Sequence, residues 1–240
     1  MMKGVLKYLI LLTLLISMIF VYGFSNYRNQ AKHISDINVE FESGENYFLT
    51  HEMVNKLLIQ NDTSFKNKAK SVIDLYRLEE QVLKNPYIEK ASLYITIDGT
   101  LHSLIKQRTP VARIITSNET FYLDKEGVKV PLSNQYSARV LLVTGVRTDQ
   151  NLEKIKLLIK KITADDFLTK EIIGIHINYS AECLMTVRSG DYKIVFGELS
   201  QADEKFKKLK AFYNKTFLDS TIRKYKTINI KYHNQVVGVK

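Results

Sequence analysis

The sequence predicts an α+β protein in which a single N-terminal transmembrane helix precedes a β-α-α-β-β domain and a mixed α/β domain built on a β-sheet. Three features carry this prediction: a long apolar run near the N-terminus, a hairpin pattern over residues 93–104, and a later mixture of alternating and helical periods. Hydrophobic residues make up 45% of the chain, which is typical of folded domains. We expect the segments 1–4 (tail), 5–24 (transmembrane helix), 25–33 (juxtamembrane linker), 34–108 (first domain) and 109–240 (second domain, ending in a C-terminal strand).

The predicted transmembrane helix runs from Val5 to Phe24, with Lys7 near its start as its one charged residue. At helical rise, about 20 residues span about 30 Å, the thickness of the hydrocarbon core of a bilayer. A cleaved signal peptide is the alternative, because the small residues Gly23 and Ser25 fit a cleavage site. The apolar run nevertheless exceeds the roughly 7–15 residues usual in such peptides. We therefore expect an uncleaved anchor, with the N-terminal tail in the cytoplasm.

Residues 34–108 follow a β-α-α-β-β pattern. Apolar residues recur from Ile34 to Phe41 as in a strand, and Thr50 and Asp74 are suited to cap two short amphipathic helices. The hairpin pattern comes next, with alternating residues on both sides of Asp98-Gly99. This dipeptide predicts a two-residue turn, because glycine tolerates the positive φ that such turns require. Two helices that cover one face of a three-stranded sheet would satisfy the pattern.

The second domain begins after Arg108-Thr109-Pro110. Proline fixes φ and has no amide hydrogen, so we place the domain junction at this point. Beyond it, the spacing of apolar residues from Leu152 to Ile162 predicts a helix that begins after Thr148. A helix after Ser200 and a last strand from Thr227 to Tyr232 complete the domain. The other predicted strands are Val111–Ile115, Phe121–Leu123, Val140–Val143, Ile172–Tyr179, Cys183–Val187 and Tyr192–Phe196.

No catalytic motif is visible in the sequence. The five histidines are far apart without metal-ligand spacing, and no metalloprotease, serine-hydrolase or phosphate-loop motif occurs. The single cysteine, Cys183, excludes an internal disulfide and is interpreted as a small buried apolar side chain. Asp165-Asp166 is interpreted as a helix end or cap rather than a paired-carboxylate site. We therefore expect a protein that is not an enzyme and that has no metal site and no cofactor.

Several motifs, in order, resemble the FtsQ/DivIB family of cell-division proteins. They are Asn85-Pro86-Tyr87-Ile88-Glu89-Lys90-Ala91, the hairpin, Gln107-Arg108-Thr109-Pro110-Val111-Ala112, Phe121-Tyr122-Leu123-Asp124 with Gly127, and Leu141 to Gly145. The resemblance covers nearly the whole chain, and the Lys-, Ile- and Tyr-rich composition is similar to that of Bacteroidetes-type members. The most specific match is the Arg-x-Pro-x-Ala junction motif at Arg108, Pro110 and Ala112. Gln107 stands where many members carry a Glu.

The resemblance implies a non-enzymatic bitopic scaffold of the bacterial divisome. Residues 34–108 would then be a POTRA domain, and residues 109–240 the β domain of the family. It also implies a place in the cytoplasmic (inner) membrane at the division septum, with both domains on the periplasmic, extracytoplasmic side. The implied partners are FtsB-like and FtsL-like proteins and other divisome membrane proteins. The protein would link early and late division proteins during septal cell-wall synthesis.

The last predicted strand is the candidate partner-binding site. Its alternation indicates a strand that leaves one sheet edge unpaired, and such edges bind extended segments by β-augmentation. The resemblance implies the same place, because the FtsB-binding surface of the family lies on the last strands and the preceding helix. Tyr232 is expected to anchor the partner, and the lysines to attract an acidic one, although Gln235 replaces a small residue of the family pattern. The candidate residues are Lys224, Lys226, Ile228, Ile230, Lys231 and Tyr232.

Three alternatives stay open on the residues alone. In the first, Tyr232 is an ordinary core residue of the sheet, and the lysines only prevent aggregation at an edge. In the second, the protein is an exported cell-wall enzyme whose site is assembled from distant residues. In the third, it is a basic envelope domain that binds anionic membrane or polymer. The formal net charge is +10, and within residues 203–240 ten Lys or Arg stand against three Asp or Glu. We expect no nucleic-acid partner, because an exported domain does not meet nucleic acid.

The variant Leu14→Arg tests the predicted anchor. An arginine at the centre of a spanning helix costs about 2.5 to 3.5 kcal/mol on insertion, so less of the variant should reach the membrane fraction. Leu14→Val is the matched control and should insert like the wild type. Fractionation with mass measurement decides the question, because a soluble wild-type protein shortened at its N-terminus would instead indicate a cleaved signal peptide.

Overall fold

The structure of the chain, a computed structural model, describes residues 2–42, 44, 47–59, 69–218 and 221–240, so Met1 of the predicted tail lies outside the described residues. The chain divides into two compact units, Met1–Gln107 and Arg108–Lys240. An N-terminal apolar helix, a small α/β unit and a sheet-rich unit follow one another, which confirms the predicted fold class.

Helix α1 (Met2–Gln30) is long and apolar enough to cross a membrane once. From Leu6 onward its side chains are exposed all round, so this apolar helix is not part of a protein core in the structure. The helix continues beyond Phe24 for six residues before it ends. Most of the segment interpreted as a juxtamembrane linker is therefore helical.

The first unit is built on a small sheet with two helices against it. After α1 come β1 (Asp36–Phe41), α2 (His51–Ile59), α3 (Leu75–Leu83), β2 (Ile88–Ile95) and β3 (Thr100–Gln107). Strand β3 is central, parallel to β1 and antiparallel to β2. Leu101 and Ile105 of β3 are completely buried, as is Val54 of α2. Thr50 and Asp74 accept hydrogen bonds from the amides of Met53 (3.3 Å) and Arg77 (3.0 Å), so both predicted caps are confirmed.

The turn between β2 and β3 is longer than the two residues predicted. Ile95 is still paired, with Leu101, and the loop consists of residues 96–99. Gly99 has a φ of +101°, and a Cβ atom there would lie 2.6 Å from the carbonyl oxygen of His33. The loop is therefore fitted closely against the backbone that follows α1. Ile97 was predicted to continue the strand, but it lies in this loop, and its side chain is 77% exposed.

Gln107 ends β3 with three hydrogen bonds inside the first unit. Its Oε1 accepts from the amides of Phe48 and Leu49, each at 3.0 Å, and its Nε2 donates to the carbonyl oxygen of Leu49 at 2.9 Å. The side chain is almost fully buried. A neutral amide, which both donates and accepts, therefore fits this position as a carboxylate could not.

The second unit is a nine-stranded sheet, counted over the residues that the structure describes. The strands are β4 (Pro110–Ile115), β5 (Thr120–Asp124), β6 (Lys129–Pro131), β7 (Leu141–Thr144), β8 (Ile172–Ile177), β9 (Cys183–Val187), β10 (Lys193–Gly197), β11 (Thr227–Asn229) and β12 (Val237–Val239). The helices are α4 (Asp149–Thr163), α5 (Asp166–Glu171) and α6 (Ala202–Leu218). The order across the sheet is β12-β11-β10-β9-β8-β7-β4-β5-β6, with parallel pairs β4–β7, β7–β8 and β10–β11. Strands β6 and β12 and helix α5 were not predicted, because three- and six-residue elements are too short to show a period.

One continuous core joins the sheet to α4 and α6. The five apolar residues from Leu152 to Ile162 that predicted α4 are all buried, and the Thr148 hydroxyl caps the helix by accepting from the Asn151 amide at 3.2 Å. Cys183 is completely buried in the same core, and this burial raises the pKa of its thiol to about 12. The interpretation of Cys183 as an apolar side chain is therefore confirmed.

A buried polar cluster surrounds Glu171, at the end of α5. Its Oε1 accepts hydrogen bonds from Ser189 Oγ (2.5 Å), Tyr213 Oη (3.0 Å) and Tyr192 Oη (3.3 Å). Burial raises the pKa of both tyrosines, so both hydroxyls stay protonated and donate. The carboxylate is thus satisfied by hydroxyl groups, as a buried polar group must be.

The variant Gln107→Glu should lower the stability of the first unit in a pH-dependent way. A carboxylate still accepts from the two amides, but it sets a negative oxygen against the Leu49 carbonyl, at a cost of about 1–3 kcal/mol. The folded state thereby raises the pKa of the new carboxyl above its unfolded value. The variant should therefore lose no free energy of unfolding below the pKa that the carboxyl has in the unfolded state. The loss should develop as the pH rises through the pKa that the carboxyl has in the folded state.

Denaturant unfolding at about pH 7 and about pH 3, on either side of the usual glutamate range, measures this effect. Gln135→Glu, at an exposed position of the second unit, is the control and should change stability little at either pH. An equal loss at both pH values for Gln107→Glu would show that the donor to Leu49 is unimportant.

Candidate partner-binding surface

Strand β11 does not lie at the edge of its sheet. It pairs in parallel with β10, where Lys193 is opposite Thr227, and antiparallel with β12, where Val239 is opposite Thr227. It also ends at Asn229, earlier than the alternation up to Tyr232 predicted. The expectation that this strand supplies the unpaired edge is therefore wrong.

Two of the candidate residues lie in the core. Ile228 and Ile230 are both completely buried and belong to the cluster beneath α6. Their side chains hold the end of the sheet together and present no area to a partner. Both residues therefore have a structural role in the core and are not expected to contact a partner directly.

The two ends of the sheet differ in how well they can accept another strand. Strand β6, at one end, carries Pro131, which lacks an amide hydrogen and so hinders pairing. Strand β12, at the other end, has no proline and no charge, and both Val237 and Val239 are exposed. The edge that is open to an extended segment is therefore β12.

Strand β12 is held in place by an aromatic ring as well as by β11. The ring of Tyr225 lies over Gly238, where a Cβ atom would come within 2.4 Å of its Cε1. The same ring lies 5.5 Å from that of Phe212 in α6, measured between centroids. The amide of Lys226 donates to the Val239 carbonyl oxygen at 2.8 Å. Glycine is required in β12 because the tyrosine occupies the space of a side chain.

Lys208 of α6 fixes the loop between β11 and β12. Its Nζ donates to the carbonyl oxygens of Ile230 (3.3 Å), His233 (3.0 Å) and Tyr232. Three carbonyl oxygens of one loop therefore converge on a single ammonium group, which holds the chain where it leaves the sheet after Ile230. This turn lets β12 return alongside β11.

The remaining candidate residues are exposed and lie on the two segments that flank β11. Tyr232 is 45% exposed, so the alternative that it is an ordinary core residue is wrong. Lys231 Nζ lies 3.5 Å from Glu182 Oε1 and 5.6 Å from the centre of the Tyr232 ring. Lys224 and Lys226 are exposed, and neither pairs with a carboxylate in the described part of the chain. We call β12 and these four side chains the β12 surface.

The three residues of the junction motif belong structurally to the second unit. Pro110 begins β4 opposite Asp124, and Ala112 is completely buried. Arg108 Nη1 donates to Asp124 Oδ2 at 2.7 Å, and the carboxylate is fully buried. The other oxygen, Oδ1, accepts from two amides of the turn between β5 and β6, at 3.0 and 2.7 Å. A role of this motif in placing the two units stays a prediction.

The carboxylates that imitate a paired site form a helix cap. Asp165 accepts hydrogen bonds from the amides of Phe167 and Leu168, both at 3.1 Å, and so begins α5. A hydrogen bond from Lys210 lowers the pKa of the Asp165 carboxyl. Across the described ranges, no group of three or more His, Cys, Asp or Glu is placed to hold a metal ion.

The fold and the β12 surface define a class of protein: an apolar helix of membrane-spanning length that precedes a small β-α-α-β-β unit and a sheet unit open to a partner strand. Comparison with known families names it. A family model described as "FtsQ/DivIB, C-terminal related" matches residues 109–239, more than half of the chain, and one described as "POTRA-like domain" matches residues 32–106. The chain therefore belongs to the FtsQ/DivIB family of cell-division proteins, which confirms the family resemblance drawn from its motifs.

The chain is also similar to a solved structure, the major extracytoplasmic domain of the trans isomer of the bacterial cell division protein DivIB from Geobacillus stearothermophilus. The identity is 15% and the TM-score 0.34, over 49% of this chain and 98% of that one. No curated protein matches the sequence.

The variant Arg108→Met should destabilise the second unit by about 3 kcal/mol, because it leaves the Asp124 carboxylate buried without its cation. This is the lower end of the range for buried pairs, since the arginine side chain is 19% exposed. Lys129→Met is the control: its pair with Glu119 is half exposed on both sides, and its loss should cost about 1 kcal/mol or less. Denaturant unfolding of both variants gives the comparison, and equal losses would contradict it.

Proposed function

We propose that the protein is a non-enzymatic, single-span scaffold of the bacterial divisome that binds an extended segment of a division partner along the β12 surface. Helix α1 would cross the cytoplasmic membrane once, with both units on the extracytoplasmic side at the septum. Membership of the FtsQ/DivIB family supports the role in division. FtsB-like and FtsL-like proteins are the partners we propose, as the resemblance implies.

The observation that carries the binding proposal is the contrast between the two sheet edges. A partner strand that pairs with β12 would extend the sheet through backbone hydrogen bonds, a mode of recognition that tolerates many sequences. Specificity would then come from side chains beside the edge. Tyr232 offers an amphipathic ring of the kind enriched in binding hot spots, and Lys224 and Lys226 offer uncompensated positive charge. An acidic, extended partner segment fits both features.

The division role is tested by depletion followed by microscopy. Loss of the protein should block septation and produce filaments, because early and late division proteins would no longer be linked. Expression of the wild type from a second copy should restore septation. Normal septation after complete depletion would overturn the proposed function, wherever the partner binds.

The binding site is tested with Tyr232→Ala. If Tyr232 anchors the partner, its removal should weaken binding of an FtsB-like peptide by more than about 1 kcal/mol, roughly fivefold in Kd. Thermal stability should stay close to wild type, because the ring is not part of the core. Tyr179→Ala is the matched control, since Tyr179 is 93% exposed in the same unit. Wild-type affinity in a folded Tyr232→Ala protein would remove this residue from the site.

A further inference from the structure

The loop of residues 96–99, which we call the hairpin tip, lies beside the end of the membrane-spanning helix. Lys32 Nζ donates to the Ile97 carbonyl oxygen at 3.0 Å, and Lys70 Nζ donates both to the Thr96 carbonyl oxygen and, at 3.3 Å, to Asn29 Oδ1 of α1. The close approach of Gly99 to the His33 backbone holds the loop from the other side. The hairpin tip is thus tied to the last turn of α1.

The length of α1 sets the level of the hairpin tip relative to a bilayer. If the hydrocarbon core ends near Phe24, five residues of helix raise Asn29 about 7.5 Å above it. The headgroup layer on each side of a bilayer is about 5–7.5 Å thick, which is half the difference between the whole bilayer and its core. The contacts between Asn29, Lys70 and the hairpin tip therefore lie at the outer border of the headgroups.

The hairpin tip and the segments bonded to it carry exposed apolar and basic side chains. Ile97 is 77% exposed at the hairpin tip, and Val72 is 68% exposed close to Lys70. Among the residues that the structure describes, no carboxylate forms an ion pair with Lys32, with Lys70 or with Arg28 in the last turn of α1.

Two acidic residues lie near the same loop. Asp98 is within the loop and accepts a hydrogen bond from the Thr100 hydroxyl at 2.9 Å, and Asp36 pairs with Thr100 at the start of β1. Lys32 and Lys70 donate to carbonyl oxygens rather than to these carboxylates, so neither ammonium group forms an ion pair with them.

We propose that the hairpin tip is a second membrane contact, in which Ile97 enters the interfacial layer and Arg28, Lys32 and Lys70 bind the phosphate groups of anionic phospholipids. An exposed apolar residue with flanking cations is the composition that associates with anionic bilayer surfaces. The contact would fix the first unit on the bilayer instead of leaving it free to swing about the end of α1. This proposal rests on the proposed function only in that α1 spans the membrane.

The chain contains no tryptophan, so a single introduced tryptophan reports on one position. The full chain, reconstituted in nanodiscs, would carry Ile97→Trp, Phe20→Trp or Leu83→Trp. Phe20 lies within α1 and reports on the anchor. Leu83 is the matched surface control, 44% exposed at the end of α3, close to the Gln107 end of β3 rather than to the hairpin tip. Emission is measured in phosphatidylcholine, with and without phosphatidylglycerol, and with brominated acyl chains as quenchers.

We expect Ile97→Trp to lose most of its emission to lipids brominated near the headgroup and to emit at shorter wavelength than Leu83→Trp, which should remain unquenched. The loss should be larger with phosphatidylglycerol than without it. An Ile97→Trp emission as unquenched as that of Leu83→Trp, while Phe20→Trp is quenched, would overturn the proposal and leave the anchor intact. Quenching that is independent of phosphatidylglycerol would overturn the assignment of the cations to lipid phosphates. If Phe20→Trp also escapes quenching, the anchor itself has failed.

Discussion

The backbone pairing of β11 on both sides is the constraint on which the C-terminal part of the second unit depends. Because β10 and β12 take up the hydrogen bonds of β11, the side chains of Ile228 and Ile230 can be buried under α6 without leaving unpaired backbone groups. The same pairing moves the open edge outward by one strand. The outermost strand at this end of the sheet is therefore not the strand that completes the core but the three-residue strand β12 beside it.

Much of the architecture could be predicted from local sequence. Helix α4 follows from a capping residue and five apolar residues at helical spacing, signals that lie within one segment and need no distant contact. Strand β9 was predicted from Cys183 to Val187, as the structure has it. The end of β11 could not be found in this way. Ile230 is buried as in a strand, but the chain turns there because Lys208, 22 residues earlier, binds its carbonyl oxygen.

The hairpin and the junction show the same limit. The dipeptide Asp98-Gly99 correctly placed a turn, yet the glycine serves to approach the His33 backbone, and the loop is longer than the dipeptide. Gln107 and Arg108 are neighbours in sequence, but the first bonds within the first unit and the second within the second. A substitution of Gln107 should therefore affect the first unit, whereas a substitution of Arg108 should affect the second. Only part of the candidate surface could be predicted from the sequence. The residue types of its lysines and of Tyr232 suggested binding, whereas the exposed position of β12 depends on the order of the strands in the sheet, which the sequence does not show.

Helix α1 continues without a break from its apolar run to Asn29, which is bonded to Lys70 beside the hairpin tip. The helix is therefore a rigid connection between the apolar run and the hairpin tip. An unbroken helix transmits rotation about its axis, whereas a flexible linker would dissipate it. One residue added between Phe24 and Asn29 would turn the attached unit by about 100° and lift it by about 1.5 Å. The number of residues in this short stretch therefore sets the orientation of the small sheet and its helices about the axis of α1. Insertions and deletions there should change this orientation more than side-chain substitutions do.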